Sequence, residues 1–130
     1  TWPVHCLQDS EGARFHPDLR LPDDLLIFSK GMHPERNDSY SASQAVTDDG
    51  LMLHEFLRQK GVRRLHVCGI ATDHCVRATV LDALADGFAV TLLKDAVRGV
   101  DLNPGDSERA IAEMIAAGAE VAEIRTLEKN

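Results

Sequence analysis

The sequence lacks the features that mark several large classes of protein. No apolar run approaches transmembrane length, and no secretory signal leads the chain. Positive charge is also in short supply, because 14 Lys and Arg residues stand against 21 Asp and Glu residues, for a net charge of −7. Proteins that bind nucleic acid or anionic membranes generally carry the opposite sign. We therefore expect neither nucleic acid nor a membrane as a partner.

Cysteine is scarce, and histidine shows no metal-binding pattern. The three cysteines, Cys6, Cys68 and Cys75, form an odd set without a C-x-x-C pair. Such a set is typical of reduced thiols in a cytoplasmic protein rather than of a disulfide framework. The six histidines have no H-x-H or H-x-x-x-H spacing, so spacing alone predicts no zinc site.

What is present indicates a single α/β domain over residues 1–130. The apolar content of 44% suits a globular core. Short apolar runs alternate with amphipathic segments, which predicts a Rossmann-like parallel sheet with helices on both faces. The predicted strands are Leu25–Ser29, Arg64–Cys68, Phe88–Leu93 and Val121–Ile124. The predicted helices are Leu51–Lys60, Asp73–Asp86 and a third that Asp106 or Ser107 caps and Gly118 ends.

Cys75 and Lys30 are both predicted at the carboxyl edge of this sheet. Cys75 falls in a strand-to-helix corner, where helix N–H groups favour a thiolate and can hold an oxyanion. Composition alone favours the alternative of a structural thiol, and we predict this for Cys68, which lies inside its strand and should face the core. Lys30 follows the predicted strand Leu25–Ser29, and its ammonium could stabilise a thiolate nearby, although a single Lys is usually only solvated.

Four runs of residues resemble the nicotinamidase branch of the isochorismatase-like hydrolases in order and spacing, over nearly the whole chain. The run Ala-Thr-Asp-His-Cys-Val is specific for cysteine hydrolases of this superfamily, and Trp-Pro-x-His-Cys narrows the resemblance to nicotinamidases and pyrazinamidases. The runs are Trp2-Pro-Val-His-Cys6, Gly12-Ala-Arg-Phe-His-Pro17, Phe28-Ser-Lys-Gly31 and Gly69-Ile-Ala-Thr-Asp-His-Cys-Val76.

The resemblance implies a set of catalytic and substrate-binding residues. Cys75 would be the nucleophile and Lys30 the catalytic lysine. Trp2 would stack on a pyridine ring, in a pocket that Tyr40 also lines. The Ile70–Ala71 peptide bond would be cis, so that the N–H groups of Ala71 and Cys75 hold an oxyanion.

The resemblance also implies a divalent metal ion and a partner segment. His5 would be one ligand of zinc, iron or manganese. Members of the family carry an N-terminal first strand with an Asp, which completes an Asp–Lys–Cys triad, and further metal ligands. No residues here match that strand, so we expect it to come from a missing N-terminal segment or a complementary chain. Whether the chain forms a homo-oligomer is left open.

The implied reaction is hydrolysis of nicotinamide to nicotinate and ammonia through a Cys75 thioester, in NAD salvage. One alternative is another amide or ureido substrate, as in carbamoylsarcosine or ureidoacrylate hydrolases, against which Trp2-Pro and His5 argue. The other is a non-catalytic scaffold protein of this fold. Asp73 and His74 belong to the motif but receive no role.

Overall fold

The computed structural model describes residues 2–35 and 39–127. Within them, three parallel strands form one sheet, in the order β1 (Arg64–Ile70), β2 (Ala89–Arg98) and β3 (Glu120–Ala122). The helices are α1 (Leu53–Gln59), α2 (Arg77–Ala85), α3 (Asp106–Ala116) and α4 (Ile124–Leu127), with 3-10 turns at Glu11–Ala13 and Ala42–Gln44 and a π-helical turn at Thr72–Val76. The predicted α/β class with a parallel sheet is confirmed. Among these residues, each helix is too short or too polar to cross a membrane.

The core lies between one face of the sheet and the three longer helices. Leu65 and Val67 of β1 pair in register with Val90 and Leu92 of β2, and alternate strand residues point to the same face. The helical side of this core comprises Leu57 of α1, Val80 and Ala83 of α2, and Ile111 and Met114 of α3. Burial of these apolar side chains holds α1, α2 and α3 against the sheet.

The predicted strand Leu25–Ser29 is wrong. Only Ser29 pairs, in an isolated antiparallel bridge whose two N–H to O distances to Val46 are 2.7 and 2.8 Å. Leu25, Leu26 and Ile27 are 42%, 60% and 55% exposed. An apolar run becomes a strand only beside another strand, and no described strand lies beside this one.

The prediction that Cys68 faces the core is also wrong, because Cys68 is exposed. β1 is an edge strand of the described sheet. Its side chains alternate, so that Leu65 and Val67 point to the core while His66 and Cys68 point to the opposite face.

The first turn of α3 is capped by a residue outside the helix. Gly105 occupies the N-cap position without a side-chain cap, so neither Asp106 nor Ser107 acts as predicted. Instead, the Asp101 carboxylate accepts the backbone N–H of Ser107 at 2.8 Å and its hydroxyl at 2.7 Å. These bonds satisfy a backbone donor that the first turn leaves free.

Candidate active site

Cys75 lies between the end of β1 and the start of α2. β1 shifts register just before Gly69, whose φ of 115° suits a residue without a Cβ. The following Ile70–Ala71 peptide bond is cis, as the resemblance implied. The π-helical turn Thr72–Val76 then leads into α2, and we refer to it as the Cys75 turn.

Hydrogen bonds close the Cys75 turn on both sides. The Ala71 carbonyl accepts the N–H groups of His74 at 3.1 Å and Val76 at 3.0 Å. The Thr79 hydroxyl donates to the Cys75 carbonyl at 2.7 Å and accepts the N–H of Ala42 at 2.9 Å. Cys75 itself is half-buried. The turn is therefore a defined structure that leaves the thiol partly accessible.

Lys30 and Cys75 are brought together, as predicted. Lys30 Nζ lies 3.3 Å from Cys75 Sγ. The same ammonium donates to the carbonyl of Tyr40 at 3.0 Å and to that of Ser39. A positive charge at this distance stabilises negative charge on the sulfur.

An aromatic cluster of Trp2, Tyr40 and His74 stands beside the thiol. Trp2 Nε1 donates to the Tyr40 hydroxyl at 3.0 Å. The His74 ring meets Trp2 edge-on with centroids 4.9 Å apart, and stacks near Tyr40 with centroids 6.2 Å apart. Because His74 directly precedes Cys75, this cluster can present flat apolar surfaces to a ring next to the sulfur.

Asp73 is the most strongly held acid near the site. Burial opposes its ionisation, but hydrogen bonds from the backbone N–H groups of Val100 and Asp101, with the His74 ring beside it, lower the pKa of the carboxyl to about 2. His74 Nδ1 lies 3.2 Å from Asp73 Oδ1 and is buried without a hydrogen bond of good geometry. Asp73 is therefore a fixed negative charge at neutral pH.

His5 is oriented as a metal ligand would be, but the described residues supply no site around it. Its Nδ1 lies 2.6 Å from the Pro3 carbonyl, which leaves Nε2 free on the exposed ring. A hydrogen bond from one ring nitrogen to a backbone carbonyl is usual for a ligating histidine. In residues 2–35 and 39–127, no three metal-binding side chains come together. His5 thus fits the part of one ligand and no more.

The sequence analysis identified most residues of the candidate active site but missed two of them. Cys75, Lys30, Trp2 and Tyr40 come together as the resemblance implied. His74 and Asp73 received no role, although their place next to Cys75 in the motif was the signal that could have found them.

Solved structures and curated sequences resemble this chain closely. Nicotinamidase of Escherichia coli is 46% identical over 122 residues, which are 91% of this chain and 55% of that protein. Pyrazinamidase of Pyrococcus horikoshii in complex with zinc matches with 44% identity and a TM-score of 0.81, over 95% of this chain and 64% of that one. A protein of L. infantum in complex with nicotinate matches with 36% identity and a TM-score of 0.81, over 95% and 61%.

The comparisons agree with the geometry on the family. The chain spans little more than half the length of the E. coli relative, 55%. The model of the isochorismatase domain matches residues 1–126, nearly the whole chain. The sequence of this chain therefore agrees with its parallel sheet and with the position of the Cys75 thiol at a strand-to-helix turn. We conclude that this chain belongs to the isochorismatase family.

Proposed function

We propose that this chain is the part of a nicotinamidase that carries the nucleophile and the aromatic side of the substrate pocket. The whole enzyme would hydrolyse nicotinamide to nicotinate and ammonia. The observation that carries the proposal is the 3.3 Å contact between Lys30 Nζ and Cys75 Sγ beside the aromatic cluster. The nicotinamidase and pyrazinamidase names of the relatives at 44–46% identity support an aromatic carboxamide as substrate.

In the first half of the reaction, Cys75 forms a thioester. A carboxylate from the complementary segment takes the thiol proton, and Lys30 stabilises the resulting thiolate. The sulfur attacks the carboxamide carbon, and the N–H groups of Ala71 and Cys75 hold the oxyanion. The C–N bond breaks, and the protonated carboxylic acid returns its proton to the departing nitrogen, which leaves as ammonia.

In the second half, water releases the product. The same carboxylate takes a proton from water, whose oxygen attacks the thioester carbon. The C–S bond breaks, the thiolate leaves and is reprotonated, and nicotinate is free. One water is consumed for each nicotinamide, and Cys75 is regenerated.

The aromatic cluster would orient the pyridine ring. The Trp2 indole would stack on the ring, and the Tyr40 side chain would line the pocket next to it. The hydrogen bond of 3.0 Å between Trp2 and Tyr40 would keep both side chains in place without the substrate. Such orientation brings the carboxamide carbon to Cys75, and orientation accounts for much of the catalytic effect of an enzyme site.

His5 is the residue that would contribute to a divalent metal site, with zinc, iron or manganese as candidates. The zinc complex of the pyrazinamidase relative supports a metal near the substrate. When bound, such an ion acts as a Lewis acid that can grip the pyridine nitrogen. The remaining ligands would come from the complementary segment, since a site of this kind usually has three protein ligands.

The uncovered surface of this chain supports a complementary segment with a strand. β1 is paired on one side within the described sheet. Ile70 at its end is 76% exposed, and the apolar side chains of Leu25–Ile27 are exposed as well. Exposed strand edges and contiguous apolar surface are usually covered in native proteins. A strand beside β1 would cover the edge and could bring the missing acid to Cys75.

The proposed place of the enzyme is the cytoplasm, in NAD salvage. NAD-consuming reactions release nicotinamide, and hydrolysis of its carboxamide gives the carboxylate nicotinate. The odd set of three unpaired cysteines supports a reducing compartment.

The test is a fusion of the N-terminal part of E. coli nicotinamidase, which should carry the first strand and its Asp, to this chain. The fused protein should release ammonia from nicotinamide, and Cys75→Ser and Cys75→Ala should abolish the release. Cys68→Ala is the matched control, because Cys68 lies on β1, outside the contact between Lys30 and Cys75. Circular dichroism of each protein checks that it is folded.

Three outcomes would count against the proposal. Turnover that survives Cys75→Ala would remove the nucleophile. A folded fusion that hydrolyses ureido compounds and not nicotinamide would point to the other hydrolases of the superfamily. A folded fusion without turnover, in which Cys75 alkylates no faster than the exposed Cys6, would indicate a scaffold protein.

A further inference from the structure

We propose that Asp73 is a positioning residue for Cys75. Its carboxylate ties the Cys75 turn to the connection between β2 and α3, and thereby holds the sulfur at the Lys30 ammonium. The inference rests on the proposed function for the role of Cys75 as nucleophile. It assigns a task to a motif residue that neither the reaction nor the pocket uses.

The two oxygens of Asp73 bind two consecutive residues of the chain. Oδ1 accepts the N–H of Val100 at 3.0 Å, and Oδ2 accepts the N–H of Asp101 at 2.8 Å. The Asp73 side chain is only 4% exposed. A buried carboxylate that accepts backbone N–H groups with both oxygens makes strong, directional bonds. The Cys75 turn is therefore attached to the residues that follow β2.

The connection after β2 is itself fixed to α3. Asp101 has a φ of 50° and uses its carboxylate to bind Ser107 in the first turn of the helix. Gly99 packs so tightly against Ser107 that an added Cβ would lie 1.7 Å from the hydroxyl oxygen. Asp73 thus binds to a supported part of the fold rather than to a free loop.

The contact between Lys30 and Cys75 needs support from two sides. Lys30 is held by the carbonyls of Ser39 and Tyr40, on a segment that does not belong to the sheet. Cys75 comes two residues after Asp73 in the same turn. Lys30 Nζ and Cys75 Sγ are now 3.3 Å apart, and this distance would increase if the turn loosened. Even a small displacement of reacting groups lowers the reaction rate strongly.

A positioning role and a purely electrostatic role predict opposite results. Asp73 carries negative charge close to the thiol, so neutralising it should by charge alone make the thiolate easier to form. Loss of position should make the thiolate harder to form, because Lys30 no longer faces it. The charged or titratable residues that contact or adjoin the Cys75 turn include Lys30, Tyr40, His74, Arg77, Arg98 and Asp101, and both variants leave them unchanged.

The experiment compares Asp73→Asn with the unchanged fused protein. Asn offers one acceptor and turns an NH₂ group towards the second backbone N–H, so one of the two bonds is lost. Alkylation of Cys75 by iodoacetamide is followed by mass spectrometry of its peptide across a range of pH. We expect alkylation about tenfold slower near pH 7, with the midpoint of its pH profile moved to higher pH.

A second variant separates the effect of the Asp73 charge from the effect of its hydrogen bonds to the backbone. Val100→Pro removes one donor N–H and leaves the Asp73 charge in place. It should move the profile in the same direction, and it decides the question if Asp73→Asn has no cooperative melting transition. The matched control is Asp106→Asn, because Asp106 also accepts a backbone N–H, from Asn103 at 2.8 Å, but has no bond to the Cys75 turn.

The outcomes distinguish this inference from the proposed function. A profile that moves to lower pH in Asp73→Asn, or stays unchanged in folded Val100→Pro, overturns the inference. If nicotinamide is not hydrolysed by any version while both variants slow alkylation, the proposed substrate is wrong and the role of Asp73 in holding the thiol remains supported.

Discussion

The ammonium of Lys30 uses its full set of donors. An ammonium group has three N–H bonds, and Lys30 Nζ meets three acceptors: the carbonyls of Ser39 and Tyr40 and the sulfur of Cys75. The two carbonyls fix the direction of the third N–H, which points to the thiol. The ammonium is thus aimed at Cys75 before substrate arrives, and no rotamer search is needed at the moment of reaction.

At His5 we predict a loss of metal without a loss of thiol reactivity. In the fused protein, His5→Ala should lower the metal content and weaken nicotinamide binding, because Nε2 is the ring nitrogen left free by the contact of Nδ1 with Pro3. Cys75 should alkylate at the unchanged rate, because its thiolate depends on Lys30 at 3.3 Å. Elemental analysis and alkylation of the same sample give both values.

The control for this prediction is His16→Ala. His16 is also a loop histidine, with 73% of its side chain exposed, and the resemblance gives it no role. Its removal should leave the metal content unchanged. Equal metal content in the two variants would show that His5 is not a ligand, and would weaken the assignment of nicotinamide as the substrate.

The sequence predicts which residues of the site come together better than it predicts the secondary structure that brings them together. Lys30 was expected beside Cys75 because both were thought to follow strands, yet Lys30 follows an isolated bridge at Ser29. The motif placed both residues correctly, whereas the apolar run before Lys30 misled. The role of Asp73 could not be read from the sequence, because its partner Val100 is 27 residues away.

At the scale of elements, polar side chains set boundaries that periodicity does not show. β2 was expected to end at Leu93 but continues to Arg98, where Ile70 of β1 pairs with it beyond the register shift. The strand expected at Val121–Ile124 ends early, because the Asp95 carboxylate accepts the N–H of Ile124 at 3.1 and 3.2 Å and starts a helical turn. Hydrophobic patterns locate such elements, while distant carboxylates decide where they stop.

The Asp73 carboxylate joins the Cys75 turn to the β2–α3 connection, and the stability that it contributes should depend on pH. The pKa of Asp73 is lowered from 3.8 to about 2 in the folded protein. A lowered pKa in the folded state adds stability that is complete above the unfolded pKa and is lost as the pH falls towards the folded one. The stability advantage over Asp73→Asn should therefore be constant above about pH 5 and decline between about pH 4 and 2.

Urea unfolding of the two fused proteins measures this difference. Allowing for screening by solvent, we expect the advantage to be smaller by roughly 0.5–1 kcal/mol at pH 3 than at pH 6. Asp106→Asn is the positive control, because hydrogen bonds from Asn103 and Arg109 also lower the pKa of Asp106, and its stability advantage should decline on acidification as well. If the stability advantage over Asp73→Asn grew as the pH fell, the lowered pKa of Asp73 would be contradicted.

For the molecule as a whole, the two faces of the sheet differ. One face holds the core with α1, α2 and α3, whereas the face that carries His66 and Cys68 is open along β1 in the described residues. The apolar side chains of Leu26 and Ile70 are 60% and 76% exposed. Cys68 is exposed because no described element covers this face of β1, although the apolar residues of the strand are typical of a strand that is buried on both faces.

A complementary segment that adds a strand beside β1 and packs on its open face should bury Cys68, which gives a test of the segment that does not involve catalysis. In the fused protein, Cys68 should be alkylated at least about tenfold more slowly than Cys6, because buried thiols are inert. Cys6 provides the internal control, since it is exposed on a loop at the N-terminal end of the described chain. Adding urea should bring the two rates together as the sheet unfolds. Equal rates in the folded protein would mean that the segment leaves this face of β1 uncovered, and the proposed packing of the segment would be wrong.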